Sequence, residues 1–358
     1  MQYTSLLAAL LLYFTFSASA QHNYPAPAEG TYLTRNFIFE SGEQLDSLRL
    51  HYYTLGAPQK DRNGIVKNAV LILHGTSSAA RNFLSPQFAG LLFGPGQLLD
   101  ATKYFIILAD GIGHGRSSRP SDGLRMQFPK YTYNDMVKAQ HLLLTQHLGV
   151  NHLRLILGTS MGAMHAWVWG YTWPDFADAL MPLASAPAEI AGRNRIMRKM
   201  AIDLIEMDPA WNHGNYTSQP VMGLAGATSS FFFMNSSPLH LQESAPTREQ
   251  ADAMAAKIRD GNLHSLDAND VIYALEASRN YNPAPYLPKI KATVFAVNSA
   301  DDEINPPELG IMEREIKKVP KGRYILLPLT ARTSGHGTNS MPAIWNNYLQ
   351  ELLQLTQQ

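Results

Sequence analysis

The sequence predicts an α/β fold: a mostly parallel central sheet flanked by helices, with a helical insertion over one edge. Three observations carry this. First, Val70–Leu73, Tyr104–Ala109 and Leu153–Leu157 are short, unbroken apolar runs. Runs of this kind fit strands buried on both faces, as in a parallel sheet. Second, Tyr133–Leu148 lies between two of them, with Met136, Val137, Leu143, Leu144 and Leu148 at helical spacing and Gly149 where a C-terminal cap belongs. Third, the strand pattern returns late, at Ala292–Val297 and Arg323–Leu329. Alternation of strands and helices is the α/β signature.

The remaining elements follow in order. Leu6–Phe16 is apolar and leads into Ser17-Ala18-Ser19-Ala20, an Ala-x-Ala signal-peptidase pattern, although no Lys or Arg precedes it. The run is too short to span a bilayer comfortably. Residues 1–20 are therefore expected to be a cleaved signal peptide of a secreted or periplasmic protein, with no membrane association afterwards. Tyr32–Glu40 and Leu48–Leu55 read as an antiparallel strand pair. Residues 21–186 and 286–358 are expected to form the core. In 187–285, helix-like pieces with Met197, Met200, Ile202, Leu204, Ile205 and Met207, and the stretch Phe231-Phe232-Phe233-Met234, are broken by Pro, Gly and Asn. This segment is expected to be a helical lid. In Ala343–Leu353, the residues Ile344, Trp345, Tyr348, Leu349, Leu352 and Leu353 give an amphipathic terminal helix.

Composition narrows the chemistry. With 358 residues and 45% hydrophobic content, the chain is long enough for one large domain with a sizeable core. Lys+Arg and Asp+Glu are both 29, so no basic surplus points to nucleic acid. The absence of cysteine excludes thiol nucleophiles and zinc–thiolate sites. The glycine-rich segment Asp110–Ser118 lacks the G-x-G-x-x-G order and the lysine of a phosphate loop. It reads as a tight strand-exit loop that supports a site. No cofactor and no metal are expected. The expected partner is a small-molecule ester or acyl substrate, and a homodimer is compatible with the sequence.

The chemistry itself lies in Gly158-Thr159-Ser160-Met161-Gly162, a G-x-S-x-G nucleophile elbow after an apolar run. Two glycines around a serine arise by chance in roughly one chain of this length in ten, so the flanking strand and helix patterns matter. A serine hydroxyl needs a base to take its proton, and an imidazole base needs a carboxylate to fix its tautomer. Elbow triads run serine, acid, histidine along the chain. Of twelve histidines, His336 in Ser334-Gly335-His336-Gly337-Thr338 has the right order, after the last strand and before the terminal helix. His165, on the helix after the elbow, reads as a packed polar group. The acid lies in Asp301-Asp302-Glu303, past the strand Ala292–Val297, where three carboxylates compete. For the oxyanion, the N–H of Met161 follows the serine directly, and Thr76 in His74-Gly75-Thr76 supplies the second donor.

With these residues in place, the chain resembles the α/β-hydrolase superfamily, and within it the branch of homoserine O-acetyltransferases. The resemblance rests on 158–165, on Phe128–Gln140, and on the acid and base motifs. It implies the α/β-hydrolase fold and favours Asp302 as the acid, four residues before Pro306, with Asp301 as runner-up. The family usually has two glycines before the serine, where this chain has Gly158-Thr159. The leading expectation is a secreted serine hydrolase that cleaves a carboxylic ester, or an amide, through an acyl-enzyme. An acyltransferase of the homoserine O-acetyltransferase type is the alternative. A non-catalytic binding protein on the same fold is the third reading.

Overall fold

An eight-stranded sheet in the order β1-β2-β4-β3-β5-β6-β7-β8 forms the centre of the molecule. The computed structural model describes residues 24–357, so the expected signal segment lies outside the described residues. The strands are β1 Ala28–Ile38, β2 Gln44–Leu55, β3 Ala69–Leu73, β4 Phe105–Ala109, β5 Leu155–Thr159, β6 Ala179–Leu183, β7 Thr293–Ser299 and β8 Gly322–Leu327. β1 pairs antiparallel with β2, and β2 antiparallel with β4; from β4 to β8 every pairing is parallel.

The unbroken apolar runs have a direct cause. Val70, Ile72, Ile106, Leu108, Leu155 and Leu157 pack on one face of the sheet with Trp345 and Leu349. Leu71, Leu73, Ile107 and Ile156 pack on the other with Trp167 and Trp169. Successive side chains point to opposite faces, and here both faces are covered. The helices are α1 Ala89–Leu92, α2 Tyr133–Leu142, α3 Met161–Thr172, α4 Gly192–Met207, α5 Val221–Asn235, α6 Pro238–Ser244, α7 Arg248–Ser265, α8 Ala268–Glu276, α9 Ile311–Glu315 and α10 Pro342–Leu355. Thr132 and Asp135 form a capping box at the start of α2. The helix expected through Leu148 gives way after Leu142 to a single π turn, and Gly149 then takes φ 62°.

One strand escaped the sequence reading. β6 contains Pro182, and a proline inside a run argues against a central strand. β6 nonetheless lies between β5 and β7. Its ladder to β7 pairs Ala179, Leu180 and Leu183 but skips Met181 and Pro182, so the missing N–H falls where no pairing is required.

The helices α4 to α8 lie between β6 and β7 and carry an apolar cluster of their own, including Ile202, Ile205, Trp211, Leu224, Ile272 and Leu275. Asp270 on α8 ties this layer to the core by accepting from Ser121 N (2.9 Å) and Ser121 Oγ (2.6 Å). Burial pushes the Asp270 carboxyl up to about 6. A carboxyl raised above its unfolded value of about 3.9 binds its proton more tightly in the folded state. Stability is therefore lost as pH rises from about 4 through 6. Asn at this position keeps a hydrogen-bonding amide without the charge. Asp270→Asn should gain on the parent by up to about 3 kcal/mol between pH 4 and pH 7.5, as read by urea melts at the two pH values. Equal stability differences at both would contradict the assignment. Among the described residues, no helix is long and apolar enough to cross a membrane.

Candidate active site

Ser160 follows β5 immediately, two residues closer to the strand end than the expected run Leu153–Leu157 implied. Leu153 instead makes an isolated bridge to Ala177. The elbow is sharp: Ser160 takes φ 52° and ψ −112°, a region that costs a non-glycine residue of order 1–3 kcal/mol. Both flanking glycines are sterically required. A Cβ on Gly158 would lie 2.1 Å from Gly162 O, and one on Gly162 would lie 2.1 Å from Leu73 O. Close approach of α3 to β5 and β3 is thus the reason for the G-x-S-x-G spacing. Gly162→Ala should destabilise the protein by about 1–3 kcal/mol through overpacking, with activity falling alongside; an unchanged denaturation midpoint would count against this packing.

The three distant side chains meet. Ser160 Oγ is 2.8 Å from His336 Nε2. His336 Nδ1 lies 2.9 Å from Asp302 Oδ2 and 3.1 Å from Oδ1. His336 and Asp302 are both buried, whereas Ser160 retains partial exposure. Burial alone would raise the Asp302 carboxyl. The facing His336 charge and the hydrogen bonds from His336 and Asn305 outweigh it and hold the group below the usual range. Asp302 Oδ1 also accepts from the N–H groups of Ile304 (2.8 Å) and Asn305 (3.1 Å).

Asp301 faces elsewhere. It accepts from Thr333 Oγ1 and Gly335 N, both at 3.0 Å, and from the Ser299 hydroxyl. It therefore fastens the loop that carries His336 rather than the imidazole itself. Glu303 pairs with Arg193 at 2.7 Å. Of the three competing carboxylates, only Asp302 reaches the histidine.

Around the serine, β6 acts as the frame. Ser160 N donates to Leu183 O (2.9 Å), and Ala184 N donates to Val297 O (2.8 Å). Asn305 Nδ2 then reaches both Ala184 O and Asp302 Oδ2 at 3.1 Å. Asn305 was not singled out by the sequence. Its only signal there is its position three residues after the acid.

The loop after β3 lies against the serine: a Cβ on Gly75 would sit 3.3 Å from Ser160 Cβ. Two buried histidines hold this loop. Gly111 N donates to His74 Nε2 (3.0 Å), which leaves the proton on Nδ1; this donates to Gly75 O (2.8 Å). In a trans peptide the C=O and the next N–H point opposite ways, so the Thr76 N–H is directed away from His74. His114 places Nδ1 2.9 Å from Ile112 O and Nε2 3.0 Å from Thr76 O, and the neutral ring donates to one of the two carbonyls at a time. Burial and the neighbouring His74 push its imidazole down to about 4. The glycine-rich segment thus supports the loop through Gly111 and His114, while Asp110 accepts from Ala80 N (2.7 Å), Arg116 N (3.0 Å) and His51 Nδ1 (2.7 Å). Met161 is the first residue of α3, where a helix N–H has no intrahelical acceptor. His165 is buried, with Gln140 Nε2 3.3 Å from its Nδ1, the packed group expected of it.

Residues 68–334 match the family model described as alpha/beta hydrolase fold. A probable acyltransferase of Methanothermobacter thermautotrophicus is 29% identical over 291 residues, covering 81% of this chain and 87% of the relative. A homoserine O-acetyltransferase of Moorella thermoacetica is 38% identical over 207 residues, covering 52% of this chain and 53% of that one. The match thus spans about half the length of this and of other homoserine O-acetyltransferases. Among solved structures, an acetylester hydrolase from Corynebacterium glutamicum superposes with a TM-score of 0.79 at 23% identity, covering 91% of this chain and 96% of that chain; at this identity the likeness speaks for the fold. The chain belongs to the α/β-hydrolase fold family, in a branch that resembles the homoserine O-acetyltransferases.

Proposed function

We propose that the protein is a serine acyltransferase: it takes a carboxylic acyl group onto Ser160 from an ester or thioester and hands it to an acceptor hydroxyl. The observation that carries the acyl-enzyme is the unbroken chain from Ser160 Oγ through His336 to the Asp302 carboxylate. Acyl transfer as the outcome is supported by the curated relatives, which are acyltransferases by name.

In this reading His336 Nε2 takes the Ser160 proton as Oγ attacks the carbonyl carbon. Asp302 holds the Nδ1–H tautomer and stabilises the imidazolium. The carbonyl oxygen becomes an oxyanion facing the N–H groups of Met161 and Thr76, each such donor contributing roughly 3–4 kcal/mol to the transition state. His336 then protonates the leaving group. In the second half, the acceptor hydroxyl gives its proton to His336 and attacks the acyl carbon; the bond from that carbon to Ser160 Oγ breaks, and His336 returns the proton to Oγ.

Hydrolysis is the second reading, with water as acceptor and the same acyl-enzyme. The feature that favours it is the apolar Leu6–Phe16 segment followed by Ala18-Ser19-Ala20. Export would take the protein away from intracellular acetyl-CoA. Incubation of the purified protein with acetyl-CoA and homoserine, beside p-nitrophenyl acetate alone, separates the two. O-acetylhomoserine formed faster than free acetate supports transfer. Steady ester cleavage with no acylated acceptor, across a panel of alcohols, overturns it in favour of hydrolysis.

A further inference from the structure

A cavity of about 910 Å³ opens between α5, α6, α7 and α8 on one side and the site loops on the other. It lies in the upper part of the range of roughly 300–1,000 Å³ typical of small-molecule sites. Its floor is made by Thr76 and Ser77, on the loop that lies against Ser160, and by Ser334 and Gly337, which bracket His336. Its walls are mostly apolar, with Phe231, Phe232, Leu241, Met254, Ile258 and Leu275, and they also carry Asn235, His240, Lys257 and Asn262. The aromatic stretch that stands out in the sequence thus splits its roles. Phe231 and Phe232 face this cavity, whereas Phe233 is exposed. Among the described lining residues there is no carboxylate, and the single lysine is Lys257 on α7.

The size of this space is too large for an acetyl group alone. Taking each carbon to occupy about the share of one water in the liquid, ~30 Å³, two carbons fill less than a tenth of it. An eight-carbon chain fills about a quarter, and leaves room for the other half of an ester. The apolar part of the wall rewards each buried methylene.

We infer that this cavity selects esters bearing an unbranched or aromatic apolar group of about six to ten carbons. The inference rests on the acyl-enzyme reading and names the substrate class of that same site. The apolar group can arrive on the acyl side or the alcohol side of the ester; the recognising chemistry is the same. Gly261 on α7 lines the cavity, and a Cβ there would meet no atom within 4 Å. A Cβ at this position therefore meets no clash, and a larger side chain also removes a helix-interior glycine at the cavity wall.

The test measures kcat/KM of the full protein on p-nitrophenyl acetate and p-nitrophenyl octanoate, and on ethyl acetate and octyl acetate. A fluorophosphonate probe run in parallel reports whether Ser160 reacts at all. At least a tenfold preference for the eight-carbon ester in either pair is expected, with the octanoate or octyl arm naming the side. Gly261→Phe should then reduce that preference at least fivefold. Labelling and acetate turnover with a flat or falling chain-length series would overturn the inference while leaving the acyl-enzyme standing. No labelling and no turnover of any ester would overturn the acyl-enzyme reading, and the inference with it.

Discussion

Ser160→Ala is expected to lower kcat by about a millionfold, the loss seen when a triad nucleophile is removed. The reasoning is geometric. Among the described residues, the Ser160 hydroxyl is the group within hydrogen-bond distance of His336 Nε2, at 2.8 Å, and the elbow that presents it is held by the backbone. Ser160 N bonds Leu183 O, and Met164 N bonds Ser160 O, both independent of the side chain. The variant should therefore fold as the parent does, with its thermal midpoint within a few degrees. It should lose all labelling by a fluorophosphonate. Turnover surviving within a hundredfold of the parent would falsify the nucleophile assignment. A collapse of the thermal midpoint would instead mark the serine as a structural group.

Asp302→Asn is expected to cost about 10³–10⁴ in kcat, because an amide facing Nδ1 favours the wrong imidazole tautomer. Its neighbour gives the contrast. Asp301→Asn disturbs the bonds to Thr333 Oγ1 and Gly335 N, so it should destabilise by about 1–2 kcal/mol and lower kcat by less than tenfold. Side-by-side steady-state kinetics and chemical denaturation of the two variants decide this. The pattern reversed would move the acid by one residue. The parent carries a further signature. Because the Asp302 carboxyl is held below its usual value, the stability it contributes is present above the unfolded pKa of about 3.9. That contribution is lost as pH falls through the lower folded value. Asp302→Asn should lack this acid-side loss.

Much of the candidate site was legible in the sequence. Ser160 was marked by two glycines whose lack of a side chain the chain contacts demand, since each would otherwise collide with Gly162 O or Leu73 O. His336 was marked by order and by small neighbours. The buried strands β3, β4 and β5 were marked by apolar runs because both faces of the sheet are covered. What escaped depended on pairing between distant segments. β6 was hidden by Pro182, whose missing N–H costs nothing only because β7 leaves that position unpaired. Asn305 joins the β6 end to the acid, and no local pattern signals such a bridge. His74 and His114 hold the Gly75-Thr76 peptides; in the sequence they are two histidines among twelve.

The linear chain by itself determined the α/β architecture and pointed to the residues of the candidate site, because residue type, apolar period and motif spacing are local properties. The tertiary structure decided which of two adjacent carboxylates meets the imidazole, how the loop beside the serine is anchored, and how large a space adjoins it. These depend on directions and distances between residues far apart in sequence, such as His336 and Ser160, 176 positions apart. A one-residue step along a turn redirects a carboxylate by more than a hydrogen bond can follow, and only the folded backbone sets that direction.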